Sequence, residues 1–164
     1  MKPAAQAQAN APADLELLSV KVNDQDFAID IMAVREIRGW VVSTPLPHAP
    51  AYVKGMVNLR GMVMPIVSLA DRLNLVAGEP GSSSVVVVVE CQGRIVGLLV
   101  DAVSDILKID PNLIQPSPDV GSPASVKVVR GLVIIETTIV SILSIPDIMP
   151  DLSAALTTDQ YEAA

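Results

Sequence analysis

The amino-acid sequence predicts an all-β fold: one unit of four or five short strands, used twice and curled into two small barrels. Three observations carry that prediction. β-Branched residues dominate apolar runs too short to be core helices. Turn-forming residues interrupt those runs at close intervals. The two halves of the chain also align on each other, which marks an internal repeat. Hydrophobic residues fill 51% of the 164 positions and charged residues 18%, enough apolar material for a packed core. Aromatic residues are only 2%, so that core has to be built from Val, Ile, Leu and Met.

Residues 1–13 are rich in Ala, Gln and Pro, lack the apolar stretch of a secretory leader, and read as a disordered tail of a cytoplasmic protein. "LELLSVKV" (15–22), "NDQ" and "DFAIDI" read as a hairpin turning at Asn23–Asp24. The Pro-rich "STPLPHAP" reads as an extended connector. "YVKGMVNLRGMVMPIVSLADRL" (52–73) gives two strands around Gly61 and one helical turn at 69–73. "AGEPGSSS" (77–84) reads as a hinge between a first barrel of about 14–76 and a second of about 84–150, with strands free to exchange between them. "VVVVVEC" (85–91), "QGR" and "IVGLLVDAV" form a second hairpin with Gly93 in its turn. "DPNLIQPSPDVGSP" is a second extended connector, and 126–149 holds a last strand pair. Residues 151–164 form a C-terminal tail in which "LSAAL" is too short for a stable isolated helix.

The repeat is visible residue by residue. Gly55 lies 76 positions before Gly131, and at that spacing Val57 meets Val133, Ile66 meets Ile142 and Ser68 meets Ser144 without a gap. Upstream, "AVREI" (33–37) matches "AVSDI" (102–106) at a spacing of 69. Valine-rich strands can align by chance, but a gapless run from Gly55 to Leu69 favours duplication. Short strands punctuated by turns suggest small barrels, which leave no long open edge.

Several function classes find no support. A net charge of −7 repels phosphate backbones, and so few aromatics offer no base-stacking platform, so no nucleic-acid partner is expected. The valine run ends at Glu90, and no stretch reaches the ~18 apolar residues of a membrane-spanning helix. Cys91 is alone, which excludes an internal disulfide, and reads as a small buried hydrophobe. His48, in "PLPHAP", reads as a solvated loop residue without metal-ligand partners. "GEPGSSS" lacks the lysine of a phosphate loop. Asp101 and Asp105 are the one carboxylate pair that an enzyme could use, and Val103 and Ile106 beside them suggest a strand-exit turn with a wet side instead. No catalytic residue, cofactor or metal site is expected.

"FAIDIMAVREIRGW", "YVKGMVNLRGMVMPIVSL" and "RIVGLLVDAVSDIL" together resemble the CheW family of chemotaxis coupling proteins, over roughly residues 14–150. The resemblance implies two five-stranded SH3-like β-barrels packed side by side, with short helical turns. It also implies a non-enzymatic adaptor that links the cytoplasmic tips of methyl-accepting chemoreceptors to the regulatory domain of the histidine kinase CheA. Contact with the membrane would then be indirect, through receptor arrays. A scaffold of a chemosensory pathway unconnected with swimming, or a detached kinase regulatory domain, would carry the same motifs.

Arg60 is the charge that asks for an explanation, placed among apolar residues beside Gly61. It either points to solvent or has a partner; its counterpart in the second half is Glu136, so the scaffold itself does not require a cation there. The resemblance implies pairing with Glu36, where a guanidinium would hold a carboxylate through two parallel hydrogen bonds. By the same analogy a receptor helix lies in an apolar groove between the barrels, with Val34, Glu36, Ile37, Arg60, Gly97, Leu99, Val103 and Ile106 as candidates. Alternation alone leaves open which of these face the core. Gly93 and Arg94 are the candidates for the kinase surface.

Overall fold

The computed structural model describes residues 14–75, 81, 83–116 and 128–150; both tails, most of the 77–84 hinge and part of the second connector lie outside them. Among the described residues ten strands run in chain order: β1 (Leu15–Val22), β2 (Gln25–Asp30), β3 (Val34–Gly39), β4 (Val53–Leu59), β5 (Met62–Ser68), β6 (Val85–Cys91), β7 (Arg94–Val100), β8 (Ala102–Ile109), β9 (Val129–Ile135) and β10 (Thr138–Leu143). Two four-residue helices, α1 (Leu69–Arg72) and α2 (Ile145–Ile148), follow β5 and β10. Single 3₁₀ turns occupy Ile31–Ala33 and Pro111–Leu113, so the second connector is less extended than its prolines suggest.

Four hairpins turn on two residues, and each turn carries positive φ: Asn23 and Asp24, Arg60 and Gly61, Gln92 and Gly93, with Glu136 in the fourth. This is the geometry that the right-handed twist of paired strands prefers. The strands assemble into two five-stranded sheets. Sheet I has the order β8-β1-β2-β10-β9, and sheet II the order β3-β6-β7-β5-β4. Pairing is antiparallel except between β2 and β10 and between β5 and β7.

The two orders map onto each other strand for strand. In sheet II Ile66 lies opposite Gly97, and in sheet I Ile142 lies opposite Ala28, the same positions of the repeat. The amide of Ser68 donates to the Tyr52 carbonyl, and that of Ser144 to the Val128 carbonyl, each at 2.8 Å. Each sheet draws strands from both sides of the 77–84 segment.

The expected closed barrels are not formed. Both sheets are mixed and open: β3 and β4 share no ladder across sheet II, nor β8 and β9 across sheet I. Each seam is crossed by one isolated bridge, Thr44 with Met56 and Gln115 with Leu132. The physical reason lies in the chain that follows β3 and β8, which departs as a Pro-containing connector and, among the described residues, brings one residue back to the opposite edge. Gly55 and Gly131 let that connector approach. A Cβ on Gly55 would lie 2.6 Å from the Thr44 carbonyl oxygen, and one on Gly131 2.9 Å from that of Gln115.

Three apolar clusters result. The largest lies between the sheets and takes Val20, Ile29, Val87, Val89, Leu98 and Ile148 among others. A second fills the concave side of sheet I around Leu17, Val140 and Ile142. The third fills sheet II around Met64, Ile66, Val86 and Val88. The valine run of β6 is thereby explained: odd positions face the central core and even positions the sheet II core, so both faces have to be apolar.

Candidate functional site

β3 is an edge strand of sheet II, and its free edge faces the seam. Alternation along "VREIRG" turns Glu36 and Arg38 to one side and exposes Ile37 on the other. Across the seam Arg60 occupies the β4–β5 turn in a left-handed conformation (φ 52°), braced by the Asn58 side chain, which accepts the Gly61 amide at 2.9 Å. From there its guanidinium reaches Glu36 and donates to Oε2, while Arg38 donates to Oε1 at 3.2 Å. One carboxylate therefore joins two elements that no backbone ladder connects.

The Glu36 side chain is 26% exposed and that of Arg60 69%. The hydrogen bond from Arg60, then that from Arg38, holds the Glu36 carboxyl below the ordinary glutamate range, outweighing a smaller opposing effect of burial. Arg38 was not singled out in the sequence; the spacing Glu-x-Arg on an edge strand is the signal that points to it. The equivalent positions in the second half are Asp105 and Glu136. Two carboxylates cannot pair, so a charge latch of this kind belongs to sheet II alone.

Exposed apolar residues neighbour the ion pair along the chain. Ile37 is 48% exposed on β3, Val41 and Val42 follow it, and Met62 and Val63 open β5 beside Arg60. A shallow pocket of about 150 Å³ lies in the seam between Arg38 and Gly39 on one side and Asn58 and Leu59 on the other.

The remaining candidates are distributed differently. Val34 and Val103 are half-buried against the central core. Ile106 is 54% exposed on β8, the edge of the other sheet. Gly97 is buried, and a Cβ there would lie 2.6 Å from Ile66 Cδ1, so it acts by letting side chains close over the backbone. Leu99 packs against the sheet II cluster. The parity of "IVGLLV" is now fixed: Val96, Leu98 and Val100 face the central core, and Ile95 and Leu99 the concave side of sheet II. Gly93 and Arg94 begin the return of the β6–β7 hairpin, where the Arg94 guanidinium donates to the Pro150 carbonyl at 2.6 Å and ties down the end of the last helical turn.

The groups weighed for catalysis are spent on structure. Asp101 accepts the Asn23 amide at 2.8 Å and clamps the β1–β2 turn. Asp105 accepts the amide of Ile106 within β8, which is a strand and not the expected exit turn. Cys91 is half-buried against the central core. Among the described residues no group of three or more His, Cys, Asp or Glu is placed to hold a metal ion, and no helix is long and apolar enough to cross a membrane.

Comparison with known proteins places this geometry in context. The model of the CheW-like domain matches residues 16–153. The chain is 48% identical over 135 residues to the chemotaxis protein CheW of Rhizobium meliloti (strain 1021), covering 82% of this chain and 87% of that protein. It is 40% identical over 151 residues to a probable chemotaxis protein CheW of Rhizobium etli, covering 92% and 93%. The crystal structure of the scaffolding protein TtCheW from Thermoanaerobacter tengcongensis superimposes with a TM-score of 0.74 at 28% identity, covering 81% of this chain and 86% of that one.

Proposed function

The chain belongs to the CheW-like domain family, and from that membership we propose that it couples the cytoplasmic tips of methyl-accepting chemoreceptors to the regulatory domain of the histidine kinase CheA. Its function is that of a non-enzymatic chemotaxis adaptor of the CheW type. It works on the cytoplasmic side of the membrane, recruited to receptor arrays, and residues 14–150 act as one functional unit.

The observation that supports this reading is the Glu36–Arg60 ion pair across the open seam of sheet II. An adaptor needs a docking surface whose shape persists between encounters. An edge strand paired on one side only, to β6, would flex at its free side, and a guanidinium shared with its carboxylate holds the edge and the opposite turn at a set distance. Around that latch Val34 and Ile37, with Val103 and Ile106 of β8, form the receptor surface, into which an amphipathic helix lays an apolar stripe. Leu99 and Gly97 support it from behind through the sheet II core. Gly93 and Arg94, at the far hairpin, belong to the kinase surface, so that the two partners bind without competing.

Titration of isotopically labelled protein with a receptor-tip fragment, and separately with the CheA regulatory domain, tests the assignment. The receptor fragment shifts resonances of β3, β8 and the β4–β5 turn; the kinase domain shifts the β6–β7 turn. Shifts from both partners on one shared set of residues would overturn the two-surface reading.

A further inference from the structure

We propose that the pocket between the two sheets, beside the end of β2 and the end of β10, binds a small monocarboxylate carried on an apolar body. Its volume is about 350 Å³, and Ala33, Cys91, Leu143, Ile145 and Pro146 give it an apolar floor. Among the described residues four polar groups join this lining, and three of them are engaged. Asp30 accepts the Met32 amide at 2.9 Å. Glu90 pairs with Arg35 at 2.8 Å. The Ser144 hydroxyl donates to Asp147 Oδ2 at 2.7 Å. The fourth, Arg130, has no hydrogen-bond or ion-pair partner among the described residues.

The repeat explains why this guanidinium is left over. Arg130, Ser144 and Asp147 occupy the positions of Lys54, Ser68 and Asp71, 76 residues earlier. In the first half Ser68 Oγ accepts the Asp71 amide at 3.2 Å as the cap of α1, which leaves the Asp71 carboxylate to bind Lys54 at 2.7 Å. In the second half Ser144 makes no such cap. Its hydroxyl donates to the Asp147 carboxylate instead, and Asp147 makes no ion pair with Arg130. The duplicated charge pair is thus intact in one half and broken in the other, and the broken one borders the pocket.

A free guanidinium presents a planar fork of donors matched to a carboxylate. An apolar floor with a few polar groups at its rim is the usual make-up of a small-molecule pocket. Asp30 and Glu90 on the same rim repel a second negative charge, which selects a monocarboxylate over a dicarboxylate or a phosphate.

The test is a titration of the full chain, methyl-labelled at Ala, Ile and Leu, with hexanoate and in parallel with hexylamine. Hexanoate produces saturable shifts at Ala33, Leu143 and Ile145, and hexylamine does not. Arg130→Gln weakens hexanoate binding about tenfold or more while the rest of the spectrum stays in place, and Arg130→Lys retains part of the affinity. Ser144→Ala removes the hydroxyl bonded to Asp147, frees that carboxylate to pair with Arg130 and weakens hexanoate binding. Absence of saturable shifts, equal shifts from hexylamine, or unchanged affinity in Arg130→Gln would each overturn the proposal.

Discussion

Replacing Gly97 with alanine probes the packing on which sheet II depends. Gly97 lies opposite Ile66 in the parallel β5–β7 pairing, and a Cβ there would come within 2.6 Å of Ile66 Cδ1 and 2.8 Å of Val86 Cγ1. Carbon atoms pack best at about 3.5–4.0 Å, so at least one of these side chains has to move. Ile66 is fully buried, and the Met64 methyl lies 3.5 Å from the same Cβ position, which leaves little room for the displaced group. Overpacking of this kind costs about 1–3 kcal/mol. Ile66→Val removes the methyl that clashes first and costs about 0.5–1.5 kcal/mol alone. The double variant should therefore be more stable than the sum of the single losses by about 1 kcal/mol, the coupling expected of residues in contact. Equilibrium urea unfolding of the four proteins, followed by circular dichroism, measures the cycle. Strictly additive losses, or an alanine variant as stable as the parent, would refute the packing argument. The counterpart position already carries a methyl in Ala28, opposite Ile142, so the strand pairing itself admits one.

Arg60→Ala leaves the fold intact, because the side chain is exposed and its ion pair with Glu36 lies at the surface, but it weakens assembly with receptor and kinase; calorimetric unfolding and co-sedimentation separate the two effects. The Glu36 carboxyl is held below its unfolded value, so its pairing contributes above the ordinary glutamate pKa and is lost as pH falls through the lowered one. A carbon-detected NMR titration of Glu36 should follow this, and in Arg60→Ala the midpoint should rise toward the ordinary value, leaving only the smaller effect of Arg38. Arg94→Ala removes the hydrogen bond to the Pro150 carbonyl and should speed amide exchange in α2 and at Met149, whose amide bonds to Ile145, while the β6–β7 ladder stays protected.

The parts of the fold legible in the sequence are those decided locally. Asn23–Asp24 and Gln92–Gly93 announce their hairpins because positive φ restricts which residues can turn there. The repeat was legible because Gly55 and Gly131 have the same task, admitting a connector against an edge strand. Barrel closure is not legible, and the expected barrels are absent, since closure rests on whether β3 and β4 exchange backbone hydrogen bonds, and side-chain pattern does not encode that. The middle of β8 reads as a turn in sequence, because Ser104 to Ile106 are exposed on an edge and lack the alternation of a strand with one buried face. The facing of β7 was undecidable for the opposite reason: with both faces buried, every residue is apolar. Of the site, the pairing of Glu36 with Arg60 came from the family resemblance, whereas the second donor, Arg38, needed the strand to be seen. That the Lys54–Asp71 pair has no counterpart between Arg130 and Asp147 leaves no trace in composition or spacing, because residues of the same charge occupy both pairs of positions.

The most direct test of the adaptor account is co-sedimentation of CheA with membranes bearing methyl-accepting receptors, with and without this protein. The account predicts that CheA pellets with the receptors only when the protein is present, and that Arg60→Ala reduces the pelleted fraction. CheA recovered equally in its absence, or a protein that pellets with neither partner, would contradict it.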